Sequence, residues 1–227
     1  MVRHGQSHQE AAAGPGSYCR SHRAYDAGGI QPPGAASGYT FVEALVVSMV
    51  ASLTLVAGAP AFVVARHDIQ ANAATTYVAA LVREARIEAA RRRASVGLRI
   101  DRDAEERWQI QSFIDGDGDG LRSADIETGT DPARGPAVRL DQVFPGVSFG
   151  IVPGAVAVEA GDSLADGNPV RLGRSGILSC SPQGGCTGGS LYLAGPFRRQ
   201  MVVRVLGGTG RVRSGRYLWN LQRWVLR

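Results

Sequence analysis

The 227-residue chain contains no lysine; all 25 of its basic residues are arginine. That uniformity weakens any argument resting on arginine having been selected over lysine at one position. Histidine is also scarce: His4, His8 and His22 fall in the first 38 residues, and His67 is the last. Everything beyond it lacks an imidazole, so no histidine general base is available there. Carboxylates alone propose no catalytic pair, and the chain reads as a non-enzyme. Cysteine is limited to Cys19, Cys180 and Cys186, without the further Cys or nearby His that a zinc site needs. Acids are missing from residues 171–227, which hold ten arginines, whereas residues 100–169 hold 14 acids against 5 arginines, a balance of −9. An acid-free, arginine-rich stretch is either a solvated face or a surface for anions.

What is present falls into four segments. Residues 1–38 are rich in Gly, Ala, Ser, Pro and His without hydrophobic periodicity and read as an unstructured leader. Residues 39–65 carry one charged side chain, Glu43, and are otherwise apolar or small. As a helix they extend roughly 40 Å, enough for a bilayer core of about 30 Å. Pro60 lies inside this run and predicts a bend rather than an end, because helical character resumes after it. Residues 66–94 are amphipathic: Ile69, Ala73, Tyr77, Leu81 and Ala85 recur every fourth position, flanked by Val78 and Val82, with charges on the other faces. Residues 95–227 lose that period. Short alternating or β-branched runs at 96–100, 108–114, 147–152, 177–180, 190–193, 201–206 and 211–217 are separated by Gly, Pro and Asp, which predicts an antiparallel β-rich head. The fold class is α+β, a long N-terminal helix with a C-terminal β-rich globular head.

The apolar run starts abruptly at Gly38-Tyr39-Thr40-Phe41-Val42-Glu43. A secretory signal has a shorter apolar region followed by a small-residue cleavage site; here the candidate processing point precedes the run. The stretch resembles the type III signal of type IV pilins and type II secretion pseudopilins. The resemblance implies cleavage after Gly38 by a prepilin peptidase and methylation of the new amine on Tyr39. It also implies that Glu43 pairs with the N-terminal amine of a neighbouring subunit during assembly. Two opposite charges brought together in low dielectric offset much of each other's burial penalty. Pro60, 22 residues into the mature chain, also falls where pilin spines commonly carry a proline. The leader is long for this family, its nearest basic residues before Gly38 are Arg20 and Arg23, and residue 39 is Tyr in place of the usual Phe.

The rest of the chain is similar to the GspH/FimT family of minor pseudopilins and minor pilins. The similarity is carried by Ala80-Leu81-Val82-Arg83-Glu84-Ala85-Arg86-Ile87-Glu88-Ala89, by Trp108 followed by Phe113-Ile114-Asp115 with its Asp/Gly repeat, and by Thr209-Gly210-Arg211-Val212-Arg213. It implies a type IV pilin-like fold and a single-pass protein of the bacterial inner membrane with a periplasmic head. The implied partners are other major and minor (pseudo)pilins, the prepilin peptidase and the inner membrane, with DNA or secreted cargo as further candidates. Loss of the leader would remove Cys19 and leave Cys180 and Cys186, which the intervening Ser-Pro-Gln-Gly-Gly lets pair as a disulfide in an oxidising compartment.

Two motifs keep two readings each. Asp115, Asp117 and Asp119, each followed by Gly, match the start of an EF-hand-type calcium loop. The closing acid belongs at position twelve, which is Ile126; Asp125 and Glu127 straddle it, and no helical pattern flanks the loop. The alternative is an acidic hairpin turn, and no other cofactor is expected. Gly210-Arg211-Val212-Arg213 matches the Gly-Arg-x-Arg with which FimT-like minor pilins contact DNA, with Arg198, Arg199, Arg204 and Arg216 as candidate extensions of the patch. It reads equally as a strand with Arg outward and Val inward. The apolar run 217–227 is either a last strand on the head or an exposed contact for neighbouring subunits.

Overall fold

A computed structural model describes residues 38–227, apart from Arg174; the expected leader and Cys19 lie outside the described residues. The chain divides into two units, Met1–Ser48 and Met49–Arg227.

The first element is the helix α1, Phe41–Arg92. Thr40 stands just ahead of it, and its Oγ1 accepts the Glu43 N–H at 3.2 Å. Thr40 and Glu43 thus have the spacing of a capping box, and the acid sits where the helix dipole favours negative charge. The helix continues through Pro60. Its N-terminal part is long and apolar enough to cross a membrane, with a mean hydropathy of 2.0 and none of that window buried.

Beyond Arg66 one face becomes buried: Ala71, Ala74, Val78, Val82, Ala85 and Ala89, at spacings of three and four. This stripe is rotated from the expected one. Ile69 is 68% exposed and Tyr77 and Leu81 lie at its margin, because alanines at the centre let the β-sheet approach the helix more closely than large side chains would.

The strands are β1 (Val96–Arg102), β2 (Trp108–Ile114), β3 (Ser148–Phe149), β4 (Val170–Leu172), β5 (Ile177–Cys180), β6 (Gly189–Gly195), β7 (Arg199–Leu206), β8 (Arg211–Leu218) and β9 (Arg223–Leu226). They form two antiparallel sheets, β2-β1-β5 and β3-β6-β7-β8-β9, with β4 also pairing β6. The architecture is α+β. The expected strand over 147–152 is confined to β3, since Gly150, Pro153 and Gly154 turn the chain into a loop. The run at the C-terminus supplies β9, whose Trp224 pairs Tyr217 across the ladder.

The larger sheet buries both faces by strand alternation. Leu191, Leu193, Met201, Val203 and Val205 join the helix in the main core. Tyr192 and Val202 point the other way, under Leu164, Ile151 and Ala157 of the loop between β3 and β4. Gln200, 1% exposed, fixes this loop: its amide N–H groups donate to the Gly150 and Leu193 carbonyls, and its Oε1 accepts the Val152 N–H.

Candidate functional site

The Gly-Arg-Val-Arg segment lies where β7 turns into β8. Gly210 has φ +59°, and a Cβ there would meet the Gly184 carbonyl at 2.6 Å and the Cys186 sulfur at 3.0 Å. The glycine is therefore required by the turn whatever the arginines do. Beside it, Cys180 and Cys186 form a disulfide with Cα atoms 4.0 Å apart. The Cys186 N–H donates to the Gly207 carbonyl at 2.9 Å, and Arg86 Nε of α1 donates to the Gly184 carbonyl at 3.1 Å. Disulfide loop, β7–β8 turn and helix thus hold one another in place.

Strand period decides which arginines share a face. Arg204 is the cross-strand partner of Arg213, and Arg211 lies two residues along, so these three project from the sheet face opposite α1. Arg211 is exposed and Arg213 half-buried, and neither guanidinium has a hydrogen-bond or ion-pair partner among the described residues. Arg204 is committed to Glu159 at 2.6 Å. Arg216, five residues from Arg211, projects from the helix-facing side, beside Asn72, Thr75 and Thr76. Arg198 and Arg199 belong to the other end of the sheet, where Arg199 pairs with Asp68 at 2.6 Å. The six-arginine patch expected from the sequence thus reduces to Arg211 and Arg213, with Arg204 adjacent but paired.

In the acidic turn, carboxylate oxygens of Asp115, Asp117 and Asp119 all lie within 4.8 Å of one another. Asp115 is buried and its two oxygens accept the Gly118 and Gly120 N–H groups at 2.7 and 3.0 Å. Asp131, also buried, accepts the Gly116 N–H at 3.0 Å and the Arg122 N–H at 3.2 Å. The Asp119 N–H holds the Asp117 carboxyl below the usual carboxylate range. Partial removal from water, reinforced by the hydrogen bond and charge of Asp117, pushes Asp119 up. A helix does flank the loop, α2 (Ser123–Thr128), contrary to the sequence expectation; it is too short for a hydrophobic period to mark it. Asp125 in α2 brings a carboxylate oxygen, Oδ2, that is buried without a hydrogen-bond partner. The backbone N–H groups accepted by Asp115 and Asp131 shape the turn and hold the three aspartates close together.

At the helix start, Tyr39 is 80% exposed. Gly38 precedes it, where a Cβ would meet nothing within 4 Å among the described residues, and Glu43 is exposed as well.

One polar cluster was not singled out in the sequence. Glu88 is only 5% exposed, at the C-terminal end of α1, with Arg91 Nη2 at 2.9 Å and Arg92 and Arg134 beside it. The hydrogen bonds from Arg91 and then Arg92 pull its carboxyl from 4.5 down to about 2. The signal was legible as Glu followed by Arg at three and four residues. His67, the one histidine among the described residues, packs against Phe197 in a tilted arrangement with ring centroids 5.3 Å apart.

No protein-family model, no curated protein and no solved structure matches the chain.

Proposed function

We propose that the protein is a minor pseudopilin of the GspH/FimT type, a non-enzymatic subunit of a type II secretion pseudopilus anchored in the bacterial inner membrane with a periplasmic head. The observation that carries the proposal is Gly38-Tyr39-Thr40-Phe41-Val42-Glu43 standing at the first turn of a helix whose apolar part is wholly exposed. An exposed apolar helix needs a membrane or other apolar helices around it. Glu43 at its first turn supplies the carboxylate for a neighbouring subunit's amine, and the Ala-centred second half of α1 packs the β-sheet. Terminal sequencing and mass spectrometry of membrane-extracted protein test the reading. The expected N-terminus is a methylated Tyr39; any other start overturns it.

A second reading, a FimT-like minor pilin that binds DNA for uptake, is favoured by one observation: among the described residues the Arg211 and Arg213 guanidiniums have no partner, and they share a face. Phosphate contacts of this kind are sequence-independent and weaken with salt. In a mobility-shift assay, Arg211→Ala/Arg213→Ala should bind duplex DNA at least ~10-fold more weakly. Equal affinity, or no binding by either protein, removes this reading.

A further inference from the structure

The end of the larger sheet opposite Arg211 combines exposed apolar and cationic side chains with left-handed turns. The meander places the β6–β7 turn (196–198) and the β8–β9 turn (219–222) at one end and the β7–β8 turn at the other. Phe197 packs against His67 and Arg199 pairs with Asp68, so the two-turn end lies level with residues 67–68 of α1, immediately after the apolar run stops at Arg66. The other end lies level with Arg86, roughly 29 Å further along the helix.

The exposed side chains at the two turns are unusual. Phe197 is 57% and Leu221 51% exposed. Arg198 is exposed and lies over the Trp219 ring with its guanidinium carbon 4.3 Å from the centroid, while the Trp219 indole N–H donates to the Arg198 carbonyl at 2.6 Å. The two turns are thereby tied together. Phe197, Arg198 and Gln222 all have left-handed backbones, with φ of +55°, +57° and +47°. Turns of that conformation favour Asn, Asp or Gly; bulky residues there are strained. Beyond its contact with His67, Phe197 keeps 57% of its surface exposed on a strained backbone, which leaves it apolar surface for something outside the chain.

We propose that the turns 196–198 and 219–222 form an interfacial foot that rests on the headgroup layer of anionic phospholipid. The inference relies on the apolar part of α1 spanning a bilayer. Aromatic rings settle at the headgroup level and arginines pair with lipid phosphates there. Phe197 and Trp219 supply the rings; Arg66, Arg198 and Arg223 supply the charge. Asp68, the acid nearest in sequence to Arg66, is held by Arg199. The foot orients the head on the membrane from which a subunit is recruited.

The test uses the full chain with Cys19→Ser, reconstituted in vesicles of phosphatidylethanolamine and phosphatidylglycerol. An environment-sensitive fluorophore is attached at Phe197→Cys, Phe62→Cys or Ala80→Cys, all exposed positions, and quenched by lipids carrying a nitroxide on the headgroup or deep in the chain. The label at 197 should be quenched by headgroup nitroxide about twofold or more beyond the label at 80, and the label at 62 by chain nitroxide. A label at 197 that behaves like the one at 80, while 62 is chain-quenched, overturns the foot and leaves the span intact. Water-like behaviour at all three positions removes the span and the foot together. Adding Arg198→Glu should cut the quenching at 197 about twofold in anionic vesicles and leave 62 and 80 unchanged. No effect of Arg198→Glu at 197 overturns the role of lipid charge.

Discussion

Glu88 closes the last turns of α1 with three guanidiniums around it, on a helix whose C-terminal dipole disfavours a carboxylate. The arginines reverse that preference and hold the carboxyl down at about 2, against 4.5 for a free one. A depressed carboxyl stabilises the fold above its unfolded value and loses that contribution as pH falls towards the folded one. The thermal midpoint should therefore fall between pH 4.5 and about 2. Glu88→Gln keeps the shape and removes the charge: it should melt lower at neutral pH and lose less than wild type on acidification across the same window. Thermal melts of both proteins over that pH range check this. At the same scale, Gly210 shows how a motif can mix roles. Its glycine serves the turn and the disulfide loop, and only the two arginines are free for a ligand.

Among the elements, the disulfide loop is the one whose removal has the clearest effect. Cys180 and Cys186 close a small ring, and the chain-entropy model gives such a ring about 2 kcal/mol. Cys180→Ser/Cys186→Ser should destabilise the head by about that amount in urea titrations. It should also loosen the β7–β8 turn, because the Cys186 N–H donates to Gly207. Faster hydrogen exchange at residues 207–210 in the variant would register that. The elements also differ in how openly the sequence announced them. Strand β2, where Trp108 and Ile110 alternate with Gln109 and Gln111, and strand β5 match the sequence expectation at both ends. The buried stripe of α1 was harder to place, since alanine is neutral in a hydrophobic pattern and the more conspicuous Ile69 points to solvent. Loop 150–169 covers a sheet face with Ile151, Ala155, Ala157, Val158 and Leu164, spaced to no regular period. Of the candidate arginines, Arg216 is separated from Arg211 by an odd number, so strand parity alone assigns it to the other face. Arg204 shares the right face, but its pairing with Glu159 is a contact between distant segments that no local pattern carries.

Across the whole second unit, charge is distributed by strand end rather than by net excess. The acids of residues 100–169 largely meet arginines of their own neighbourhood, as Asp103 does with Arg107 and Arg139, and Asp166 with Arg171. Among the described residues of the β7-β8-β9 meander, Arg211, Arg213, Arg216 and Arg223 have no hydrogen-bond or ion-pair partner for their guanidiniums. Binding of polyanions there should be electrostatic in character, with affinity falling linearly on a log–log plot against salt. If Arg211 and Arg213 make the phosphate contacts at their end, a slope near −2 is expected in salt-dependent titrations with duplex DNA.

The eight residues of β7 separate the two turn ends by roughly 23 Å at a strand's rise per residue. Charges that far apart in salt water, where screening acts over about 8 Å at physiological strength, scarcely sense one another. The meander therefore works as an insulator between two cationic terminals. Neutralising Arg198 on a lipid surface leaves the field at Arg211 and Arg213 as it was, and an anion can be taken up at the far terminal whether the near one is docked or free. DNA affinity measured on vesicles of rising phosphatidylglycerol content should stay constant once the bulk repulsion between DNA and the membrane is matched with a lipid-only control, and the strand length alone sets that independence.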